Sequence, residues 1–170
     1  GLCNFPTKVG QTHKGMQGKT HLQDVIALCH QNGIAVQLYY SVIFDRWAYD
    51  NHPDWRIILV NGKPAGETVR HGLNCPNSPY RDYVVSLTEE MCQQLDFDGI
   101  RYDMTFWPNV CYCTYCQKRF AAEVGGELPK IIQWEDPHWV RFQRKREEWL
   151  LDFAHLLTQK VRSLKPQATV

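Results

Sequence analysis

The chain has 170 residues, of which 44% are hydrophobic and 22% are charged, and its formal net charge is +1. These values are ordinary for one soluble globular domain and argue against disorder. With no concentration of Lys and Arg, they exclude an electrostatic basis for binding nucleic acid or an anionic membrane. No apolar stretch approaches the roughly 20 residues that cross a bilayer. We expect no signal peptide and a cytoplasmic protein. We also expect residues 1–170 to belong to one domain.

Helix and strand patterns alternate from the beginning of the chain. Thr20 to Asn32 predicts an amphipathic helix that ends at Gly33. Ile34 to Phe44 predicts a strand buried on both faces of a parallel sheet, because β-branched and aromatic residues dominate it. Asp45 to Pro79 is polar and rich in Gly and Pro, and a loop of this length is usually functional.

The second half continues the same alternation. Within the long loop, Trp55 to Val60 followed by Asn61-Gly62 predicts a small hairpin. A helix from Tyr80 to Leu95 follows Ser78 as its N-cap, because Pro79 suits a first helical position. The remaining predicted elements are a strand at Gly99 to Asp103, a helix at Cys116 to Val124, a long helix from Asp136-Pro137 to about Leu164, and a strand beginning at Ala168.

This order predicts a parallel α/β fold. Every long insertion follows a strand, which is typical of a (β/α)₈ TIM barrel with its active site on the loops after the strands. A full barrel takes about 250 residues, so the sequence predicts a partial TIM barrel, a segment of a larger one. If the chain stands alone, an open three-layer sheet or a homo-oligomer is the alternative, since strand edges would be exposed.

Asp103 is the candidate catalytic residue. It ends the predicted strand Gly99 to Asp103, a position from which a rigid carboxylate can meet the anomeric carbon of a sugar as the nucleophile of a glycoside hydrolase. Arg101, two residues earlier, projects from the same strand face. Its positive charge is expected to lower the pKa of Asp103 and so keep the carboxylate ionised, as a nucleophile requires. The alternative is a structural ion pair between these two residues.

The seven cysteines, an odd number, cannot all pair internally. Cys111, Cys113 and Cys116 have a spacing that brings three thiolates to one soft cation. Cys75, in the preceding long loop, is the best fourth ligand, with His71 or His52 as substitutes. We predict a structural Zn²⁺ that pins two loops, because four thiolates leave no position for a reacting water. Disulfides or free thiols are the alternative.

The loops that follow the two strands carry aromatic and polar residues suited to a sugar platform, in which ring faces cover C–H groups and polar groups bond hydroxyls. For any single residue, packing of a loop on the barrel is an alternative. We assign Trp134, Trp139 and Trp149 to helix packing. The candidate substrate-binding residues are Arg101, Tyr40, Asp45, Trp47, His71 and Trp107, with Trp55 and Phe106 nearby.

Several segments resemble a family catalogued as hypothetical glycosyl hydrolase six. They are FPTKVG at 5–10, CHQNGIAVQLYYS at 29–41, HPDW at 52–55, CPNSPYRDY at 75–83 and DGIRYDMTFWPNVCYCTYCQKRF at 98–120. GIAVQLYYS also resembles the third barrel strand of α-L-fucosidases, in which the nucleophilic aspartate ends strand four. This resemblance implies that the chain supplies about strands 3 to 5 with their helices and long loops, that Gly1 follows strand two, and that Asp103 is the nucleophile.

Two further resemblances concern single sites. Arg101-Tyr102-Asp103 is similar to the Arg-x-Asp of α-amylase-type barrels, in which the aspartate is the nucleophile. The four cysteines resemble a cluster in zinc-containing β-galactosidases, which implies zinc here. Those enzymes carry Asn-Glu at the end of strand four, whereas Met104-Thr105 stand here, so β-galactosidase activity is not implied. Related families place the acid/base on a later strand or loop, and we expect it beyond Val170.

The sequence therefore predicts a retaining glycoside hydrolase barrel that acts on an oligosaccharide or glycoside, with neither nucleic acid nor a membrane as partner. The segment by itself is expected to be inactive because the second carboxylate is missing. Two alternatives stay open. One is a non-catalytic carbohydrate-binding barrel, and the other is a zinc-stabilised structural or partner-binding module.

Overall fold

The structure is a computed structural model that describes residues 1–16, 18–68 and 70–170. Two parallel strands form its sheet, and helices occupy much of the remaining chain. In chain order, the elements are α1 His21–Gln31, β1 Gln37–Ser41, α2 Arg46–Asn51, α3 Tyr80–Gln94, β2 Gly99–Asp103, α4 Thr114–Glu123 and α5 Pro137–Leu164, with 3₁₀ turns at Lys14–Met16 and Pro53–Trp55. Among the described residues, none of these helices combines the length and apolar character that spanning a bilayer requires.

The chain divides into two compact units. The first unit consists of Gly1–Val42, Asp82–Met104 and His155–Val170, and it contains the sheet. The second unit consists of Ile43–Arg81 and Thr105–Ala154. The second unit has a continuous hydrophobic core of aromatic, aliphatic and cysteine side chains, and its largest fully buried members include Trp149, Phe120 and Phe142.

The sheet of the first unit is parallel, as predicted. Its register pairs Tyr39 with Arg101 and Ser41 with Asp103. Thr169 forms a parallel bridge with Gly99, so the end of the chain runs beside β2 where a third strand was predicted. Three segments of the chain thus lie side by side in one direction, which is the arrangement that β-α-β connections produce.

The predicted strand at Ile34 to Phe44 is partly wrong. The observed strand β1 is shorter, and it is not buried on both faces. Leu38 is buried, whereas Tyr39 is 63% exposed. Successive side chains of a strand point to opposite faces, and the described part of the chain covers only one of them. The uncovered face carries Gln37, Tyr39 and Arg101, all exposed.

The predicted helices are confirmed with small shifts at their ends. The helix predicted at Cys116 to Val124 begins two residues earlier, at Thr114. The hairpin predicted after Trp55 is a tight turn in which the amide of Leu59 donates to the carbonyl of Lys63 at 2.8 Å, with a single bridge between Ile58 and Pro64. Trp139 and Trp149 are buried as predicted, but Trp134 is 64% exposed and contacts Trp139 edge-on at 6.2 Å. The assignment of Trp134 to packing was therefore wrong for most of its surface.

Candidate active site and metal centre

Asp103 is the last residue of β2, and its carboxylate lies on the uncovered face of the sheet. The Tyr39 hydroxyl donates a hydrogen bond to Asp103 Oδ2 at 2.5 Å. Arg101 Nη2 lies 3.9 Å from Asp103 Oδ1. The side chain of Asp103 remains 29% exposed, so a carboxylate held by two neighbours is still accessible to a ligand.

The surroundings of Asp103 favour its ionised form. The hydrogen bond from Tyr39 lowers the pKa of Asp103, the backbone N–H of Met104 lowers it further, and the Arg101 charge contributes a smaller effect. The same carboxylate raises the pKa of Tyr39, because the hydroxyl must stay protonated to donate. Asp103 is therefore an anion at neutral pH, which is the state in which a carboxylate acts as a nucleophile.

Tyr39 was not among the predicted site residues, and Tyr40 was. Tyr40 pairs with Tyr102 in the register and contacts its ring at 6.0 Å, on the face opposite to Asp103. The period of two along a strand could have found Tyr39, because it shares a face with Ser41, the residue directly opposite Asp103. Only the register, however, says which residue of the first strand faces the acid.

The other predicted substrate-binding residues belong to the second unit. Asp45 is buried, and its Oδ1 accepts the Ala48 amide at 2.9 Å as the N-cap of α2. Trp47 contacts His52 edge-on at 5.8 Å, and both are half-buried. His71 is exposed. Asp45 thus has a structural role that the sequence analysis did not assign.

Trp107 has a more specific environment. Its indole Nε1 donates to the carbonyl of Arg146 at 2.7 Å, and the Arg146 guanidinium lies 5.5 Å from the centre of its ring. The side chain is half-buried. This tryptophan is therefore fixed to helix α5, which is compatible with packing and with a rigid platform for a ligand.

The four predicted cysteine ligands are brought together in the second unit. The sulfurs of Cys75, Cys111, Cys113 and Cys116 all lie within 4.8 Å of one another, and all four residues are buried. Cys75 Sγ is 3.5 Å from Cys116 Sγ and 3.6 Å from Cys113 Sγ. His71 and His52, the alternative fourth ligands, are not members of this group.

These distances fit one tetrahedral metal ion. With metal–sulfur bonds of about 2.3 Å, tetrahedral geometry separates the sulfurs by about 3.8 Å. A disulfide requires about 2.05 Å, and the four cysteines are free thiols in the structure. The donor set is thus that of a closed four-sulfur site for a soft or borderline cation.

Local backbone structure explains how the cysteines converge. Cys113 is the N-cap residue of α4, and Cys116 lies in the first turn of that helix. The start of the helix therefore brings the two sulfurs close together. Cys75 begins a tight turn in which the amide of Ser78 donates to its carbonyl at 3.0 Å. The Tyr112 amide donates to the carbonyl of Ile58 at 2.7 Å, which joins the cysteine loop to the turn of the long loop.

Charge and hydrogen bonding in the cluster differ among the four thiols. Burial raises the pKa of Cys75, whereas hydrogen bonds from Cys111 and Cys116 lower the pKa of Cys113. Asn77 Nδ2 donates to Cys116 Sγ at 3.3 Å, and Arg119 Nη1 donates to Asn77 Oδ1 at 2.9 Å. Such outer partners orient ligands and balance the charge of a metal–thiolate centre.

A groove of about 690 Å³ lies beside the cysteine cluster in the second unit. None of the predicted catalytic or substrate-binding residues lines it. Its walls are mostly apolar, and two lysines and a glutamate also line it. The lining residues include Ile58, Leu59, Tyr112, Lys118, Glu127 and Lys130. The groove is therefore separate in composition from the residues around Asp103.

Comparison with solved structures identifies the class of fold. Alpha-L-fucosidase isoenzyme 2 from Paenibacillus thiaminolyticus is similar to this chain with a TM-score of 0.79 and 23% sequence identity. The similarity covers 100% of this chain and 25% of the fucosidase chain, so this chain spans a quarter of that length. The fold is thus that of an α/β segment similar to part of a glycosidase. A search of curated proteins gives no match.

The sequence identifies the particular family. The chain belongs to the family described as hypothetical glycosyl hydrolase 6, whose model matches residues 1–104. The matched region contains Tyr39, Arg101 and Asp103, and it ends before the trio Cys111, Cys113 and Cys116. The resemblance stated from the sequence extended to Phe120, which is further than this match.

Proposed function

We propose that this protein is a retaining glycoside hydrolase in which Asp103 is the nucleophile. The proposal depends chiefly on the carboxylate of Asp103 at the end of β2, which the Tyr39 hydrogen bond keeps ionised and which is still accessible. The chain also belongs to a glycosyl hydrolase-like family. Tyr39 is the positioning residue, because it fixes one carboxylate oxygen and leaves the other for attack. Arg101 balances the charge.

In this mechanism, Asp103 attacks the anomeric carbon of a glycoside while a general acid protonates the departing oxygen. The glycosidic C–O bond breaks and an ester forms between Asp103 and the sugar. Water then attacks the same carbon, gives its proton to the group that acted as acid, and releases Asp103. We propose that this second carboxylate comes from a later strand or loop of the barrel. Trp47, His71 and Trp107 are proposed to contact the sugar.

We further propose that the chain is part of a TIM barrel, about strands 3 to 5. The parallel pair β1 and β2 and the parallel bridge at Thr169 support the proposal. The uncovered sheet face supports it too, because a strand of a complete barrel has helices on one side and the barrel interior on the other. Tyr39, Arg101 and Asp103 would then belong to the interior, near the end where active sites lie.

The cysteine cluster is proposed to hold a structural Zn²⁺. Four buried thiols at tetrahedral spacing support zinc, whose coordination in structural sites is four-fold and closed. Cys75, Cys111, Cys113 and Cys116 would hold the ion, and no water would remain on it to react. When bound, the metal supplies a cross-link between the turn at Cys75 and the loop before α4, and no catalytic step.

Hydrolysis of aryl glycosides tests the catalytic proposal. The protein with its complete barrel is expected to hydrolyse at least one member of a 4-nitrophenyl glycoside panel that includes the α-L-fucoside, and Asp103→Asn is expected to lower kcat by at least about 10³-fold. A 2-fluoro glycosyl fluoride should attach one sugar to the peptide that contains Asp103. Asp96→Asn is the matched control, because Asp96 is highly exposed and its side chain contacts Lys165 and His30.

Other outcomes separate the alternatives. Sugar binding on a glycan array without hydrolysis would indicate a carbohydrate-binding barrel. Zinc content without sugar binding would indicate a structural or partner-binding module. Hydrolysis that survives Asp103→Asn unchanged would exclude Asp103 as the nucleophile.

A further inference from the structure

Arg146 of helix α5 has an unusual environment beside the cysteine cluster. Its guanidinium lies 6.0 Å from the centre of the Phe142 ring, within the aromatic core that also contains the cysteines. It donates to the side-chain oxygen of Gln143 and, at 3.1 Å, to the carbonyl of Asn109. Its Nε is buried and has no hydrogen-bond partner among the described residues.

The hydrogen-bond partners of this cation are neutral. Arg119 and Lys145 of the second unit, by contrast, have carboxylate partners, Glu123 at 2.7 Å and Glu148 at 2.6 Å. Burial lowers the pKa of Arg146, against smaller opposing effects of Cys116, Cys111, Tyr112 and Glu147. Its bond to the Asn109 carbonyl ties the guanidinium to a residue two positions before Cys111. A partly buried guanidinium without a carboxylate is costly unless another anion lies near it.

A metal-bound cysteine cluster provides such an anion, because one divalent ion with four thiolates carries a net charge of −2. We propose that Arg146 is the counter-charge of the metal–thiolate centre, and that metal binding thereby holds the segment Trp107–Asn109 against helix α5. This inference rests on the proposed zinc centre and is independent of whether the protein hydrolyses glycosides.

The contacts of Arg146 explain why the segment would respond. The Trp107 indole donates to the Arg146 carbonyl at 2.7 Å, and the Arg146 guanidinium donates to the Asn109 carbonyl at 3.1 Å. One residue of α5 therefore holds the loop through its backbone and through its side chain. Asn109 is two residues before Cys111, so an attraction between Arg146 and the metal centre acts directly on this loop.

Zinc affinity tests the charge role. In competition with a chromophoric chelator, Arg146→Gln is expected to bind Zn²⁺ about 10 to 100 times more weakly than the wild type, the usual range for loss of an outer partner of a metal site. Arg146→Lys keeps the charge and is expected to stay within a few-fold of the wild type. Arg144→Gln is the matched control, because Arg144 is an exposed arginine of the same helix and its loss changes the net charge equally.

Equal affinities of Arg146→Gln and the wild type would overturn the inference, and so would equal losses in Arg146→Gln and Arg144→Gln. If no variant and no wild-type protein binds zinc, the zinc centre itself fails and this inference fails with it. Loss of glycosidase activity alone would bear on Asp103 and not on Arg146. The three results are therefore distinguishable.

Hydrogen exchange of the wild type tests the loop without a variant, should Arg146→Gln not fold. Removal of zinc with a chelator is expected to increase exchange at residues 105–110 by at least about tenfold, while α1, which lies in the other unit, keeps its protection. Unchanged exchange at 105–110 would overturn the coupling. An equal increase in α1 would also overturn it, because the effect would then be global unfolding.

Discussion

At the scale of single residues, Asp103 depends on a neighbour that chain order does not reveal. Arg101 is two residues away in sequence, yet its nitrogen is 3.9 Å from the carboxylate and its side chain is 69% exposed. An exposed ion pair of this length is screened by water. Tyr39, 64 residues away, makes the closer contact and is the first cause of the lowered pKa of Asp103.

Replacement of Tyr39 by Phe should therefore raise the pKa of Asp103. The hydroxyl stabilises the carboxylate, and without it the protonated form becomes relatively more stable. Because the folded pKa is depressed, the stability that Asp103 contributes is present above its unfolded pKa and is lost as pH falls through the folded pKa. In Tyr39→Phe this contribution should be smaller, and its loss should be complete at a higher pH.

A titration of the Asp103 carboxyl carbon by NMR measures this shift. Tyr40→Phe is the control, because Tyr40 lies on the other face of the same strand. A pKa of Asp103 that is the same in Tyr39→Phe and in the wild type would contradict the assigned role of Tyr39.

At the scale of elements, the segment after β1 is held in a strained conformation. Ile43 has φ 69°, a left-handed backbone that is unfavourable for a β-branched residue. The buried Asn74 compensates, because its amide N–H and its side-chain Nδ2 both donate to the Ile43 carbonyl, at 2.8 and 3.2 Å. Tyr80 completes the arrangement by accepting the Ile43 amide at 3.1 Å.

Asn74→Ala should destabilise the protein by about 1–3 kcal/mol, because it removes two buried side-chain hydrogen bonds. Asn74 Nδ2 donates to the Asp45 carbonyl at 2.9 Å as well as to the Ile43 carbonyl, so two loop carbonyls each lose one of their donors. Urea unfolding measures the change. Asn51→Ala removes an exposed bond to the Trp47 carbonyl and should stay within about 0.5 kcal/mol. A similar loss of unfolding free energy in both variants would show that burial of the Asn74 hydrogen bonds does not increase their contribution to stability.

At the scale of the whole molecule, the cysteine cluster joins parts of the second unit that are distant in sequence. Cys75 lies 36 or more residues before the trio, and a cross-link between such positions restricts the unfolded chain. Among the residues that the structure describes, the candidate metal-binding group does not include Asp103, Tyr39 or Arg101. Stability and catalysis are therefore proposed to depend on separate residues.

Removal of zinc should lower the thermal unfolding temperature. At a free zinc concentration 100 times the dissociation constant, binding stabilises the folded state by about 2.7 kcal/mol, which corresponds to about 5–10 °C for a chain of this size. Differential scanning calorimetry with and without a chelator measures the difference, together with metal content by mass spectrometry.

Cys113→Ser should remove this dependence on zinc, and Cys29→Ala, outside the cluster, should retain it. An unfolding temperature of the wild type that the chelator does not change would exclude the zinc centre. Purification of a metal-free protein with oxidised cysteines would exclude it too.

Local signals in the sequence were sufficient for the long helices, for β2 and for the grouping of the cysteines. Helix limits such as Tyr80 and Leu164 follow from local signals, namely a capping Ser-Pro pair and a terminating Lys-Pro pair. The spacing of Cys111, Cys113 and Cys116 limits their sulfurs to a small volume, so three ligands were predictable from neighbours in the chain. The position of Asp103 at the end of a strand was predictable for the same reason, because the end of a strand is a local feature.

Contacts between residues that are distant in sequence could be identified only from the folded structure. The register of β1 against β2 put Tyr39, and not Tyr40, beside Asp103, because a shift by one residue moves every side chain to the other face. The packing of α5 places the carbonyl of Arg146 beside the Trp107 indole. Asp45 could be recognised as a buried N-cap only once the position of α2 was known. These pairings depend on burial and strand register across long sequence separations, which local patterns in a sequence do not encode.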